Sequence, residues 1–164
     1  MLQQSKLGFL VFFVALFLSI FLTRSGSLSP PAPRFSLPET NGGQVDLESY
    51  RGRPVLLVFW VSSCSICQRE LPLLNQLEPA FRSRGIAVVT IHLGGEGAAR
   101  DYMSSHSIGL TSLFDDRGAV GKAYHVGGVP RLVLIGRDGK VIRSMSGWTE
   151  EGVLRGWMDA ASAS

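Results

Sequence analysis

The two cysteines of this 164-residue chain stand three positions apart, in Cys64-Ser65-Ile66-Cys67. A structural disulfide gains most by closing a long loop, because that constrains the unfolded chain more. A bridge over two residues closes a very small loop, so the pair suits chemistry better than stapling. A four-ligand zinc site would need a second closely spaced ligand pair, and His92, His106 and His125 do not supply one. What remains is thiol exchange: one thiolate attacks a disulfide sulfur, and a second thiol resolves the mixed disulfide that forms.

Such a pair needs an element that presents one sulfur, stabilises its charge and sets the other a turn away. Val55–Val61 is a continuous apolar run, as a strand covered on both faces requires. From Ser65 to about Arg84, Ile66, Leu73, Leu74, Leu77 and Phe81 recur at helical spacing, and Gly85 can end the helix. Cys64 then lies at a helix N-terminus, where unpaired N–H groups and the dipole favour a thiolate, and Ser63 is the expected N-cap. Cys67 follows one turn on. Glu70, three residues further, shares that face and can approach the inner sulfur; the competing reading is a solvated surface carboxylate. Pro72 removes the helix bond to Gln68 and predicts a kink.

The other elements alternate. Phe35–Leu37 and Gln44–Leu47 flank Asn41-Gly42-Gly43, a hairpin signal, and Ile86–Leu93 is a second buried strand. Short helices are expected over Gly97–His106 and Gly118–Tyr124. Arg131–Ile135 and Lys140–Ser146 surround Asp138-Gly139, a second hairpin. Thr149 is the expected cap of a last helix that turns Val153, Leu154, Trp157, Met158 and Ala161 inward. Strand, helix, strand, then a hairpin and a closing helix make an α/β sandwich with a mixed sheet.

Leu7 to Leu22 is an uncharged run of 16 residues between Lys6 and Arg24. It is long for a signal-peptide core and short for a span, and no Ala-x-Ala pattern follows, which favours a retained anchor over residues 1–24. If the segment is cleaved, the domain is secreted. Residues 25–33 (S-G-S-L-S-P-P-A-P) read as an extended linker that cannot pack, leaving 34–164 as the domain. From Arg34 onward 14 Lys and Arg face 13 Asp and Glu, a net +1, and the basic residues are scattered. Nucleic acid has no electrostatic footprint here.

The segment F-W-V-S-S-C-S-I-C-Q-R-E-L-P resembles the active-site segment of the TlpA/ResA group of membrane-anchored thioredoxin-like proteins. The likeness runs through Trp60, Cys64, Cys67, Glu70 and Pro72, in the pattern W-x-x-x-C-x-x-C-x-x-E-x-P. The opening A-P-R-F-S-L-P…G-G-Q-V-D-L and the later G-G-V-P-R-L-V-L-I-G-R-D-G-K-V are similar to that group's first hairpin and Pro-loop. The resemblance covers about Ala32 to Ala161. It implies a thioredoxin-like fold with an N-terminal β-hairpin and a short central insertion. It also implies a cis Val129-Pro130 loop facing the cysteines, with backbone that pairs with substrate, and a proton-transfer or tuning role for Glu70. Trp60 is expected as a core residue beside the site, and is grouped with Val129 and Pro130 as substrate-binding. No cofactor is implied beyond the redox-active Cys64–Cys67 disulfide. The implied partners are disulfide- or dithiol-containing envelope proteins and a membrane electron carrier, on the extracytoplasmic side. Apocytochrome c and copper-site proteins before metal insertion are the kinds of substrate expected. Two departures stand out: Ser63 replaces a commonly aromatic residue, and the Ser-Ile pair lacks the frequent Pro.

Two other chemistries occur on the same fold. A copper-delivery protein would use Cys64, Cys67 and a histidine, His125 being the best placed, but such proteins usually space their cysteines by three residues. A peroxidase needs Thr three residues before its reactive cysteine, where this chain has Val61.

Overall fold

The computed structural model describes residues 29–163. The expected anchor and the start of the linker lie outside them. Among the described residues no helix is long and apolar enough to cross a membrane.

The chain opens with a hairpin of β1 (Ser36–Pro38) and β2 (Gln44–Asp46), followed by a 3-10 turn over Leu47–Tyr50. The strand β3 (Val55–Trp60) leads into the long helix α1 (Ser65–Ser83), and β4 (Ala87–His92) follows. Next come α2 (Glu96–Ser105), β5 (Thr111–Phe114) and the short α3 (Ala119–Ala123). A hairpin of β6 (Arg131–Ile135) and β7 (Val141–Ser146) and the helix α4 (Glu151–Ser162) close the domain. The main sheet has the order β5-β4-β3-β6-β7. Within it β3 runs parallel to β4 and antiparallel to β6. This is the expected mixed sheet flanked by helices.

Every residue of β3 is buried, because both faces of the central strand are covered. Side chains alternate across a strand, so the six residues divide between two cores. Leu56, Val58 and Trp60 pack with Leu71, Leu74 and Phe81 of α1, Tyr102 of α2, and Leu154 and Met158 of α4. Val55, Leu57 and Phe59 pack with Phe35, Leu37, Leu47 and Tyr124 on the opposite side.

The insertion between β4 and α3 contributes α2 and also β5, an edge strand that the sequence reading leaves unassigned. The first hairpin docks on this edge, with the Thr40 N–H donating to the Ser112 carbonyl at 2.9 Å. The linker requires a correction. Val141 N–H donates to the Pro30 carbonyl and Ala32 N–H to the Gly139 carbonyl, both at 2.9 Å, and Ala32 is buried. Prolines lack a donor but keep an acceptor, so this stretch can line the free side of β7. The packed domain therefore begins near Pro30, not at residue 34.

Both expected helix caps are displaced. The N-cap of α1 is Cys64 rather than Ser63, and its sulfur accepts the Cys67 N–H at 3.1 Å. The N-cap of α4 is Glu150, which makes no side-chain cap bond, while Thr149 is turned inward. The helix α1 runs on through Pro72 and Pro79. The Gln68 carbonyl freed by Pro72 accepts the Tyr102 hydroxyl at 3.5 Å.

Candidate active site

In open α/β sheets functional groups gather beyond the carboxyl ends of parallel strands, where the strand order reverses. Here that place is the end of β3. Its neighbour β4 is parallel, whereas β6 runs the other way and starts where β3 stops. The β3–β6 register pairs Phe59 with Arg131. Continued by two residues, it sets Val129 across from Val61, beside the turn that carries Cys64. The Val129–Pro130 peptide is cis, as expected. The Cys64 thiol points at the Val129 carbonyl, with Sγ 3.6 Å from the oxygen. Gly147 N–H donates to the Pro130 carbonyl at 2.8 Å and ties this loop to the segment before α4.

The two thiols are unlike. Cys64 is half-buried at the rim, and Cys67 is 1% exposed in the core beneath α1. Burial pushes the Cys67 thiol well above the ordinary range, with the hydrogen bond to Cys64 and the charges of Cys64 and Glu70 adding to it. An accessible sulfur therefore sits over one that stays protonated until a base or a bond change helps it. Brief iodoacetamide treatment of the reduced protein at neutral pH is expected to label Cys64 alone. Mass spectrometry that finds the label on Cys67 would reverse the assignment of outer and inner thiol.

Glu70 is not a solvated surface carboxylate. It is 0% exposed, and neither carboxyl oxygen has a hydrogen-bond partner among the described residues. Burial raises it to about 7. The Thr149 hydroxyl and N–H act in the opposite sense. That hydroxyl is donated to Met145 Sδ at 3.6 Å, however, so burial prevails. An unpaired buried carboxylate is expensive, and the charge of this one raises the Cys67 thiol further.

Trp60 is a core residue, as expected, and requires a correction only as a substrate-side one. It has no exposed surface, because the alternation of β3 drives its ring under the dithiol helix. There it meets Tyr102 with ring centroids 5.1 Å apart and His92 at 4.8 Å. Val129 faces Cys64 through its carbonyl, and the buried Pro130 follows it in the chain. Sequence reading missed Thr149, Gln68 and His92. Gln68 donates its amide to the Ser62 carbonyl at 2.8 Å, and His92 Nε2 accepts the Ser62 N–H at 3.3 Å. Their signal was faint: a polar residue directly after Cys67, and a histidine ending a mostly apolar strand. His125 lines a groove with Pro33, Tyr124 and Arg131. Among the described residues no three His, Cys, Asp or Glu side chains are placed to hold a metal ion.

An accessible thiol at a helix head, an inner thiol one turn on and a facing cis-proline loop define a thioredoxin-fold thiol–disulfide oxidoreductase. Residues 28–144 match the AhpC/TSA family. The thiol-disulfide oxidoreductase ResA of Bacillus subtilis is 30% identical over 129 residues, 78% of this chain and 72% of that one. Its namesake from Geobacillus kaustophilus is 32% identical over 127 residues, 76% and 72% of the two chains. A Chlorobium tepidum structure assigned as a thiol:disulfide interchange protein DsbE superposes with a TM-score of 0.76 at 31% identity, over 82% of this chain and 96% of that one. A secreted Mycobacterium tuberculosis disulfide oxidoreductase homologous to E. coli DsbE gives 0.69 at 26% identity, over 77% and 95%. The chain belongs to the AhpC/TSA family and, within it, to the ResA-like thiol–disulfide oxidoreductases.

Proposed function

We propose that this protein is an extracytoplasmic disulfide reductase that acts on envelope proteins and is recharged by a membrane dithiol carrier. The observation that carries the reading is the asymmetric dithiol, with Glu70 buried one helical turn beyond the inner cysteine. Cys64 thiolate attacks a substrate disulfide, forming a mixed disulfide and releasing the first substrate thiolate. Cys67 then attacks the Cys64 sulfur, giving up its proton to Glu70. That step breaks the mixed disulfide, releases the second substrate thiolate and leaves Cys64–Cys67 oxidised. The substrate gains two electrons. The carrier's dithiol returns them by the reverse sequence, with protonated Glu70 supplying a proton to the departing Cys67 sulfur.

A carboxyl near 7 suits both directions at neutral pH, because acid and base forms are then present together. Cytochrome c maturation, or the preparation of copper-site proteins for metal insertion, is the physiological setting that fits such a reductase. The apolar run at Leu7–Leu22 supports a membrane-tethered domain on the outer side, or a secreted one after cleavage. The secreted state of the mycobacterial relative agrees with export.

The direct test traps the thiols of the intact protein in cells that contain or lack the membrane carrier. Cys64 and Cys67 are expected to be mainly reduced with the carrier and oxidised without it. A pair that stays oxidised in both strains would make the protein an oxidant. Copper(I) titration of the purified reduced protein separates the metal-delivery alternative, which requires tight stoichiometric binding together with negligible disulfide exchange.

A further inference from the structure

His92 is a buried titratable side chain that the exchange steps do not use. It ends β4, next to Trp60 in the parallel register with β3, and is 4% exposed. Its Nε2 accepts the N–H of Ser62, two residues before the outer thiol. The other side of the same turn is held as well. The Ser62 carbonyl accepts the Gln68 amide, and Cys64 N–H donates to the Val61 carbonyl at 3.2 Å. The turn between β3 and α1 is thus clamped from β4 on one side and from α1 on the other.

The clamp depends on the charge state of the ring. An Nε2 that accepts must be unprotonated, which places the proton of the neutral ring on Nδ1. Nδ1 is buried against the backbone of Gly94, with no well-formed hydrogen bond among the described residues. That backbone closes over the ring so tightly that a Cβ on Gly94 would come within 2.9 Å of the His92 Cε1. Imidazolium carries a proton on both nitrogens, so Nε2–H would then oppose the Ser62 N–H, donor against donor.

Among the described residues the surroundings offer the cation little beyond the Gly94 backbone. From β3 the ring meets Trp60, the two planes at 69°. Just beyond β5, the Asp115 N–H donates to the His92 carbonyl, and its carboxylate accepts the Gly121 N–H at 2.8 Å. Tyr102 of α2 lies across Trp60, with its hydroxyl committed to Gln68. Burial holds the His92 imidazole below its ordinary range, opposed by a hydrogen-bonding contribution from the Gly94 backbone.

We propose that His92 is a positioning residue for the nucleophile, fixing through Ser62 the turn that presents Cys64 only while its ring is neutral. This rests on the reading of Cys64 as the attacking thiol. Exchange should then fall at acid pH as His92 gains a proton and the turn loosens, independently of Glu70.

The test compares wild type with His92→Gln and His92→Phe in the full chain. Gln places an amide oxygen as many bonds from Cα as Nε2 and can accept the same N–H. Phe keeps a ring and removes the acceptor. Losing a hydrogen bond worth ~1 kcal/mol to the reacting geometry corresponds to a roughly fivefold to tenfold slower reaction. His92→Phe is therefore expected to slow Cys64 alkylation and disulfide exchange by about that factor, and to strip hydrogen-exchange protection from the Ser62 amide. His92→Gln should keep both within about twofold of wild type at neutral pH and lose the acid step that follows protonation of Nε2, while the inflection that belongs to Glu70 remains. Nitrogen NMR of wild type should show the Nδ1–H tautomer, with Nε2 protonating along that acid step.

A Phe variant that folds and reacts at the wild-type rate would overturn the proposal. So would a Gln variant that keeps the acid step seen by nitrogen NMR to follow Nε2 protonation in wild type, or a neutral ring protonated on Nε2. If Phe does not fold, the Gln profile and the tautomer decide. Failure of the underlying reading looks different, because the label would then sit on Cys67 in wild type and variants alike.

Discussion

Cys67→Ala is expected to abolish turnover while making the protein a trap for its own substrates. Cys64 remains at the rim with its sulfur directed at the Val129 carbonyl, so the first attack still proceeds. The resolving sulfur is gone, and the mixed disulfide persists until an outside thiol breaks it. Steady-state exchange should fall by ~100-fold or more, the scale on which an obligatory catalytic group is lost. Non-reducing gels of cells expressing this variant should show substrates linked through Cys64 and released by reductant. Cys64→Ala should trap far less, since Cys67 is buried and its thiol is held protonated. The variant also removes a 1%-exposed side chain from the core, so its unfolding transition is measured alongside. A structural loss would lower the transition and the trapping together, whereas the division of roles predicts efficient trapping by a folded protein. Equal trapping by the two variants would refute that division.

How far the sequence could be read depended on whether a feature was local. The strand β3 and the helix α1 were legible because their signals lie within one segment: a fully apolar run, and Leu74, Leu77 and Phe81 at helical spacing. The dithiol at their junction was legible for the same reason. By contrast, β5 has four residues, two of them buried, and exists by pairing with β4. Nothing within Thr111–Phe114 announces that partner. The prolines at 30 and 31 suggested a linker, yet their backbone lies along an edge that β7 leaves free. Trp60 read as a core residue, yet its place close to the cysteines in sequence also grouped it with the substrate side. The pleat of β3 decides otherwise, since Leu56, Val58 and Trp60 share the face that α1 covers. Thr149 has the composition of a helix cap, but its surroundings turn it toward Met145 and Glu70. Burial of Glu70 is likewise non-local, since it requires the segment before α4 to close over a helix some eighty residues earlier.

That closure makes Glu70 the second site with a large expected effect, and the sign of its pH dependence follows from its burial. The folded protein holds this carboxyl at about 7 against an ordinary 4.5. Between those values the unfolded chain has lost the proton that the folded chain keeps, so the folded state binds more protons and loses stability as pH rises. The loss begins above the unfolded value and levels off above the folded one. Each pKa unit is ~1.4 kcal/mol, so the full change is about 3 kcal/mol as an order of magnitude. Glu70→Gln removes the titration. The cost of burying its amide is the same at every pH, so the slope carries the test rather than the absolute stability. Chemical denaturation of the two reduced proteins should show Glu70→Gln gaining on wild type steadily from about pH 4.5 to 7 and holding that lead above. In exchange assays the same variant should be slower and lack the wild-type inflection near 7, because it can neither take nor return the Cys67 proton. Glu70→Asp should fall between, its reach shortened by one methylene. A stability difference flat across this range would mean that Glu70 titrates as an ordinary carboxylate. Superimposable exchange profiles would remove it from the reaction, whatever the denaturation curves show.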